Sequence, residues 1–455
     1  MLRPRLAQLT LAAACGVALL LSGCVIKPGD SGKEVDRLNA TGKQFGFTVS
    51  QRALPELPTG PTWQGVLQRA FLANGDLEAS YHEWAMAVQR IDQTGTWPTS
   101  PVELGFDYMF SSERMKSFNR LTVSANLMDG SALPNKTYID AKIAWRDAQA
   151  AGERFRAAKF DLQMRVLQAW ADYALQAERV RIQEQNVALL RLVTETAASR
   201  VRVGGGQQEQ LRADVELKTA ENELASVRST LNQQRATLNA MLRRSADAPL
   251  EPPVVMPEPR ALPADDALLA AGVSNNADLA ALGHDRSARE SAIERAKLEY
   301  LPEINPMAAF TGNVSQSLGA SLTLPTQFPK LRAMVAEARA DLRRVEAMAA
   351  QAKADRTGKF LATLLALRDA ERRSRVFEQD ILPLAQRSVD LVRQGYAAGT
   401  SSYLDLIDAQ RMLLDTRLMA AEARTMRERM LAELEQLAGM DVETVVSTAT
   451  TRGAP

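Results

Sequence analysis

Few side chains in these 455 residues have the types and spacing for chemistry. Asp405 and Asp408 stand three positions apart in Ser402-Tyr-Leu-Asp-Leu-Ile-Asp408, which puts both carboxylates on one face of a helix. Ser402 lies three residues before Asp405, a variant of the capping box, and acids are favoured in a helix's first turn. Cys24 closes Leu21-Ser-Gly-Cys24 directly after an apolar run. That tetrapeptide looks like a bacterial lipoprotein cleavage box, in which the cysteine becomes the acylated first residue. Gly204, Gly205 and Gly206 could suggest a phosphate loop, but no strand precedes them and no Gly-Lys-Ser/Thr follows, so they read as a turn. His82 and His284 are the only histidines, and the carboxylates are scattered. Neither a dedicated transition-metal site nor a Ser–His–Asp set is expected. The 16 methionines read as core filler. The residues point to no enzyme and no cofactor.

The elements that position these residues begin after a targeting segment. In residues 1–23, Arg3 and Arg5 form a basic start and Leu9 to Leu21 an apolar core too short to span a membrane as a mature helix. Val25 stands where an Asp would retain a lipoprotein at the inner membrane, so sorting to the outer membrane is favoured. Cleavage removes Arg3 and Arg5 and leaves 53 basic against 54 acidic residues, a balance with no field for nucleic acid. Cys15 leaves with the signal, and no disulfide can form within one mature chain. No other stretch has the apolar length of a transmembrane helix, so any crossing of the membrane falls to strands.

Two pairs of alternating segments supply candidates. Val102–Phe110 and Leu121–Leu127 form one pair, and Met307–Val314 with Leu318–Leu324 the other. Alternation of polar with apolar or aromatic residues suits a strand between lipid and a watery lumen. Trp97, just before the first strand, suits a membrane interface. Behind each pair runs an unusually long helical pattern, roughly 68 residues from Lys136 to Val203 and roughly 70 from Lys330, about 100 Å each if straight. Gly204–Gly206 and Ala397-Ala-Gly399 end these runs, and return helices follow to about Arg244 and Leu437. Pro383 should kink or break the second run.

The expected organisation is an irregular tether over 24–61, a first repeat over 62–248, a Pro-rich linker over 249–263, a second repeat over 264–441 and a flexible tail over 442–455. Each repeat carries a helix, a strand pair and a long helical hairpin. Four strands per chain are too few to close a barrel alone. The expected class is an α+β membrane protein.

The second turn, Arg393-Gln-Gly-Tyr-Ala-Ala-Gly399-Thr-Ser-Ser-Tyr-Leu-Asp405-Leu-Ile-Asp408-Ala-Gln-Arg-Met-Leu-Leu414, closely resembles the TolC family of outer-membrane efflux proteins. The resemblance implies a homotrimer whose twelve-stranded barrel in outer-membrane lipid continues as a helical tunnel across the periplasm. It also implies docking, by the helical tips around Gly204, Gly205, Gly206, Gly399 and Thr400, onto a periplasmic adaptor and an inner-membrane pump. The lipoprotein box suggests the subgroup serving resistance–nodulation–division pumps, an exit duct for small toxic compounds or drugs. The family's gate carboxylates carry over to Asp405 and Asp408, which threefold symmetry would gather into an acidic ring. The capping role of Asp405 stays open beside this. The first turn departs from the pattern: it has no Asp-x-x-Asp pair, and no gate partner can be named there. Two other readings remain, an exit duct for type I protein secretion and a lipid-anchored periplasmic coiled-coil scaffold.

Overall fold

The computed structural model describes residues 24–47, 51–58, 60–97, 102–106, 121–126, 134–202, 207–253, 264–311 and 315–441. The signal segment 1–23, most of the linker 249–263 and the tail 442–455 lie outside the described residues. The elements run β1 (Cys24–Val25), α1 (Ser31–Gly42), α2 (Trp63–Ala73), α3 (Gly75–Gly95), β2 (Thr96–Trp97), β3 (Val102–Phe106), β4 (Leu121–Asn126), α4 (Pro134–Arg202) and α5 (Gln207–Met241). They continue as α6 (Asp265–Ser274), α7 (Ala277–Leu298), β5 (Glu303–Thr311), β6 (Ser315–Thr323), α8 (Phe328–Arg375), a π-helical segment Val376–Ile381, α9 (Leu382–Ala398) and α10 (Tyr403–Ala438). The order of strand pair, long helix and return helix therefore occurs twice. No helix among the described residues is long and apolar enough to cross a membrane.

Contacts divide the chain into two compact units, each drawing on both repeats. One takes residues 1–43, 80–155 and 278–352, the other 44–79, 156–277 and 353–455.

The first unit holds a four-stranded antiparallel sheet in the order β3-β4-β5-β6. Its register aligns rows across all four strands. One row is Val102, Ala125, Ala308 and Leu318; the next is Glu103, Ser124, Ala309 and Ser317. Directly paired residues share a face and successive residues alternate. An apolar face and a polar face therefore extend over the whole sheet. Beyond the β4 pairings, Ile304 pairs with Leu322 on the apolar face. Leu318 is 84% exposed, and Ile304 and Leu322 are also exposed, the reverse of what a soluble sheet does with leucine and isoleucine.

Both second-pair strands begin earlier in the sequence than their alternation implies, β5 at Glu303 and β6 at Ser315. The obstacle was Pro306. It pairs with Ala320 of β6 but lies just past Met307, the last β5 residue paired with β4. Among the described residues nothing pairs with Pro306 on that side, a position where a residue without an N–H is tolerated. Tyr108 and Phe110, expected in the first strand, lie outside the described residues.

The bases of the strands are tied by charge. Lys136, 1% exposed at the start of α4, donates to Glu303 at the start of β5 (2.9 Å) and pairs with Glu299. One turn along, Arg295 of α7 donates from Nε to both carboxylate oxygens of Asp140 at 2.9 Å. These pairs join helix starts and strand starts far apart in sequence.

The irregular tether expected over 24–61 is corrected. Residues 31–42 form α1, whose Ser31, Glu34 and Leu38 fall on one face at helical spacing and are buried. Trp84 of α3 donates its indole N–H to Glu34 (2.9 Å) and stacks on Phe155, while Arg37 donates to Glu153 (2.8 Å) and lies over the Trp84 ring. The segment escaped a helix assignment because its buried face is mostly polar and is satisfied only by partners supplied by α3 and α4. Ahead of α1, β1 pairs with β2, setting Cys24 against Trp97, and Ile26 donates to the Gly95 carbonyl (2.7 Å).

In the second unit, α2 and α3 part at Asn74: its extended backbone ends α2, and its Oδ1 accepts the Leu77 N–H (2.9 Å). Pro383 does not break the second long run. The six residues before α9 widen to π geometry, and Leu382 donates to the Phe377 carbonyl five residues back. Absorbing an extra residue in the ladder lets the helix pass a residue without an N–H.

Candidate functional site

The site is the turn between α9 and α10 with the flanking helix ends in the second unit. Gly399 adopts φ 77°, a left-handed conformation that costs an L side chain energy, and its N–H reaches the Tyr396 carbonyl. Thr400 donates from its backbone to the Gly395 carbonyl (2.8 Å), and its hydroxyl reaches the same oxygen. Ser402, extended, caps α10. Its hydroxyl accepts the Asp405 N–H, while Asp405 accepts the Ser402 N–H (2.9 Å) and hydroxyl (2.7 Å). The hydroxyl and backbone donations from Ser402 hold the Asp405 carboxyl below its ordinary range. The full capping box is present, so Asp405 caps the helix. Asp408 is also exposed and takes part in no ion pair among the described residues.

Behind the turn lies a packed wall. Tyr396, Tyr403, Leu406 and Ile407 join Val187, Leu190, Val193 and Ala197 of α4 and Ala213 and Ala220 of α5 in one buried cluster. Tyr396 and Tyr403 meet edge to face, 6.5 Å between centroids. Burial, followed by the nearby Glu216 carboxylate, pushes the Tyr403 hydroxyl up to about 12. Among the described residues neither tyrosine hydroxyl has a hydrogen-bond partner, and both amide atoms of Gln410 are likewise buried and unpartnered. Such orphans carry a cost of roughly 1–3 kcal/mol each. They mark a tip that is tightly packed but polar-unsatisfied.

Sequence reasoning could name no residue of the first repeat that meets the second turn, and the structure shows two. Arg200 of α4 donates to the Tyr396 carbonyl (2.6 Å), and its guanidinium lies 3.9 Å from the Tyr396 ring centroid. Glu216 of α5 accepts from Arg411 of α10. Arg200 escaped notice because a basic residue in the last turn of a helix is favoured by the dipole anyway. Gly204, Gly205 and Gly206 lie outside the described residues. Cys24 is exposed in β1, in the first unit. Among the described residues no group of three His, Cys, Asp or Glu is placed to hold a metal.

The comparisons with known proteins agree in kind. Residues 268–440 match the family described as outer membrane efflux protein. No curated protein matches in sequence. Among solved structures, the outer membrane protein VceC from Vibrio cholerae aligns with TM-score 0.71 at 16% identity, over 84% of this chain and 96% of its own. A membrane protein from Pseudomonas aeruginosa aligns at 0.72 and 17%, over 86% and 97%. The open state of the MtrE outer membrane channel of Neisseria gonorrhoeae aligns at 0.71 and 17%, over 86% and 94%. The fold is that of these outer-membrane proteins.

Proposed function

We propose that this chain, an outer membrane efflux protein, is the passive exit duct of a tripartite efflux system for small toxic compounds, working as a lipid-anchored homotrimer with a periplasmic adaptor and an inner-membrane pump. The observation that carries the reading is the four-stranded sheet, with Ile304, Leu318 and Leu322 exposed in β5 and β6 and, among the described residues, β3 and β6 as its edge strands. An open sheet with an apolar outside is unsuited to water, and four strands cannot close. Three copies supply twelve strands and remove every edge, with polar rows such as Glu103, Ser124, Ala309 and Ser317 on the lumen side. A periplasmic scaffold has no use for such a sheet.

The helical hairpins then form the periplasmic conduit, and the α9–α10 turn its aperture, where Asp405 and Asp408 gather into an acidic ring. Arg200 would hold the second hairpin against the first and keep the aperture narrow. The adaptor meets the tips at Gly204–Gly206, Gly399 and Thr400. Cys24, acylated, would anchor the chain; its pairing with Trp97, five residues before β3 in sequence, supports an anchor close to the membrane rather than on a long leash.

A Cys24→Ala form carrying an ordinary secretory signal tests the barrel. It is expected to require detergent and to remain trimeric; a freely soluble monomer would falsify the duct. Small-compound efflux is separated from protein secretion by deleting the gene and measuring both toxin susceptibility and the secreted proteins. Altered secretion with unchanged susceptibility would favour the secretion duct.

A further inference from the structure

The exposed face of α10 beyond the aperture carries a repeated pair of side chains. Asp408 and Met412, Asp415 and Met419, Glu422 and Met426 follow one another at seven-residue intervals. Met412, Met419 and Met426 are 53%, 49% and 45% exposed, and all three acids are exposed. Buried methionine is filler, as the sequence alone suggested for all of them; three on one open stripe are not. Asp408 and Asp415 have no ion-pair partner among the described residues, and Glu422 accepts from Arg179. A stripe that leaves carboxylates unpartnered belongs against water rather than inside a subunit interface.

The first repeat provides an internal control. An offset of the 193 residues between Gly206 and Gly399 lays buried Ala213 and Ala220 on buried Leu406 and Leu413. At that offset the residues of α5 matching Met412 to Met426 are Thr219, Asn222, Ser226, Ser229 and Gln233, all exposed and all neutral. The two return helices share a scaffold, yet at these matched positions only α10 carries carboxylates and thioethers, the acids of α5 falling elsewhere on that helix. Helix geometry does not demand them there.

We propose that this ladder is a track for organic cations with apolar bodies: the carboxylates draw the charge, and the polarizable thioethers cover the aliphatic or aromatic surface. Successive pairs stand about 10 Å apart, close enough for a cation to pass from one to the next. The proposal rests on the duct reading, which places this face on the lumen.

The test uses the full-length protein in planar bilayers, with tetraphenylphosphonium as the amphipathic probe and tetramethylammonium as the compact one. Tetraphenylphosphonium is expected to block the wild-type current at far lower concentration. A Met412→Ser, Met419→Ser, Met426→Ser variant should weaken its block about tenfold and leave tetramethylammonium unaffected, since thioether–aromatic contacts are individually small. Asp415→Asn should weaken the block by both cations. Should the triple variant fail to fold, Thr219→Met with Asn222→Asp, which moves a pair onto α5, is expected to tighten the tetraphenylphosphonium block. Conducting channels with unchanged block in the variants that fold would overturn the ladder and leave the duct standing. A wild-type protein that carries no current would overturn the duct and the ladder together.

Discussion

At the second hairpin the chain reverses through Gly399 in the left-handed region, and α10 starts under a complete capping box. The first hairpin meets this turn with Arg200 and Glu216, side chains that reach across to the Tyr396 carbonyl and to Arg411. One hairpin is shaped by its own short-range chemistry; the other acts on it from outside. The faces differ in the same sense, acid and thioether on α10, neutral hydroxyls and amides on α5. The repeated plan supplies two similar scaffolds, and the difference shows how side chains of one hairpin can restrain the turn of the other.

Five changes would break or sharpen this contrast. Arg200→Ala removes the cation–π contact and the charge-assisted hydrogen bond to Tyr396, together about 2 kcal/mol of attachment between the hairpins. Single-channel conductance should rise severalfold, and a conductance equal to wild type would leave Arg200 as a packing residue. Gly399→Val forces a β-branched residue to φ 77° at a cost of roughly 1–2 kcal/mol, which chemical denaturation of the trimer should register as an earlier midpoint. Ser402→Ala takes away the cap for about 1 kcal/mol, and it should loosen hydrogen-exchange protection in the first turn of α10 while sparing the end of α4.

The smallest effect concerns acid. Asp405 has a lowered carboxyl pKa in the folded chain, so its cap contributes fully above the ordinary carboxylate value and is lost as pH falls through its lower folded value. The stability gap between wild type and Asp405→Asn should therefore be constant near neutrality and close below about pH 4. A gap that instead widened in acid would show that Asp405 suffers repulsion from Asp408 and its copies, the behaviour of a tight ring rather than of a cap. Conductance of Asp408→Ala separates the roles further: lost cation preference assigns Asp408 to the ring, and unchanged selectivity removes it.

Much of the fold was legible because it is local. Period-two alternation at Val102–Phe106 and at Leu318–Leu322, three-four periodicity over α4, the left-handed glycine at 399 and the Ser402-x-x-Asp405 cap each depend on residues a few positions apart. The reading failed where a local signal pointed the wrong way. Pro306 hid the start of β5 because a proline within a strand counts against it locally, whereas its pairing with Ala320 comes from β6. Pro383 suggested a break because the π segment before it has no sequence signature. The 24–61 segment looked irregular because the partners of Glu34 and Arg37 lie 50 and 116 residues away.

By itself, then, the sequence determined the expectation of a signal ending at Cys24, the doubled plan of strand pair and helical hairpin, and the two carboxylates on one helical face. These follow from spacing along a backbone whose periods are set by its own sterics and hydrogen bonds. Only the tertiary structure decided which residues became neighbours. It brought Arg200 onto Tyr396, Lys136 between two glutamates, and left Met412, Met419 and Met426 in the open. Periodicity states that a residue lies on a face; packing against other helices decides whether that face is core, interface or water.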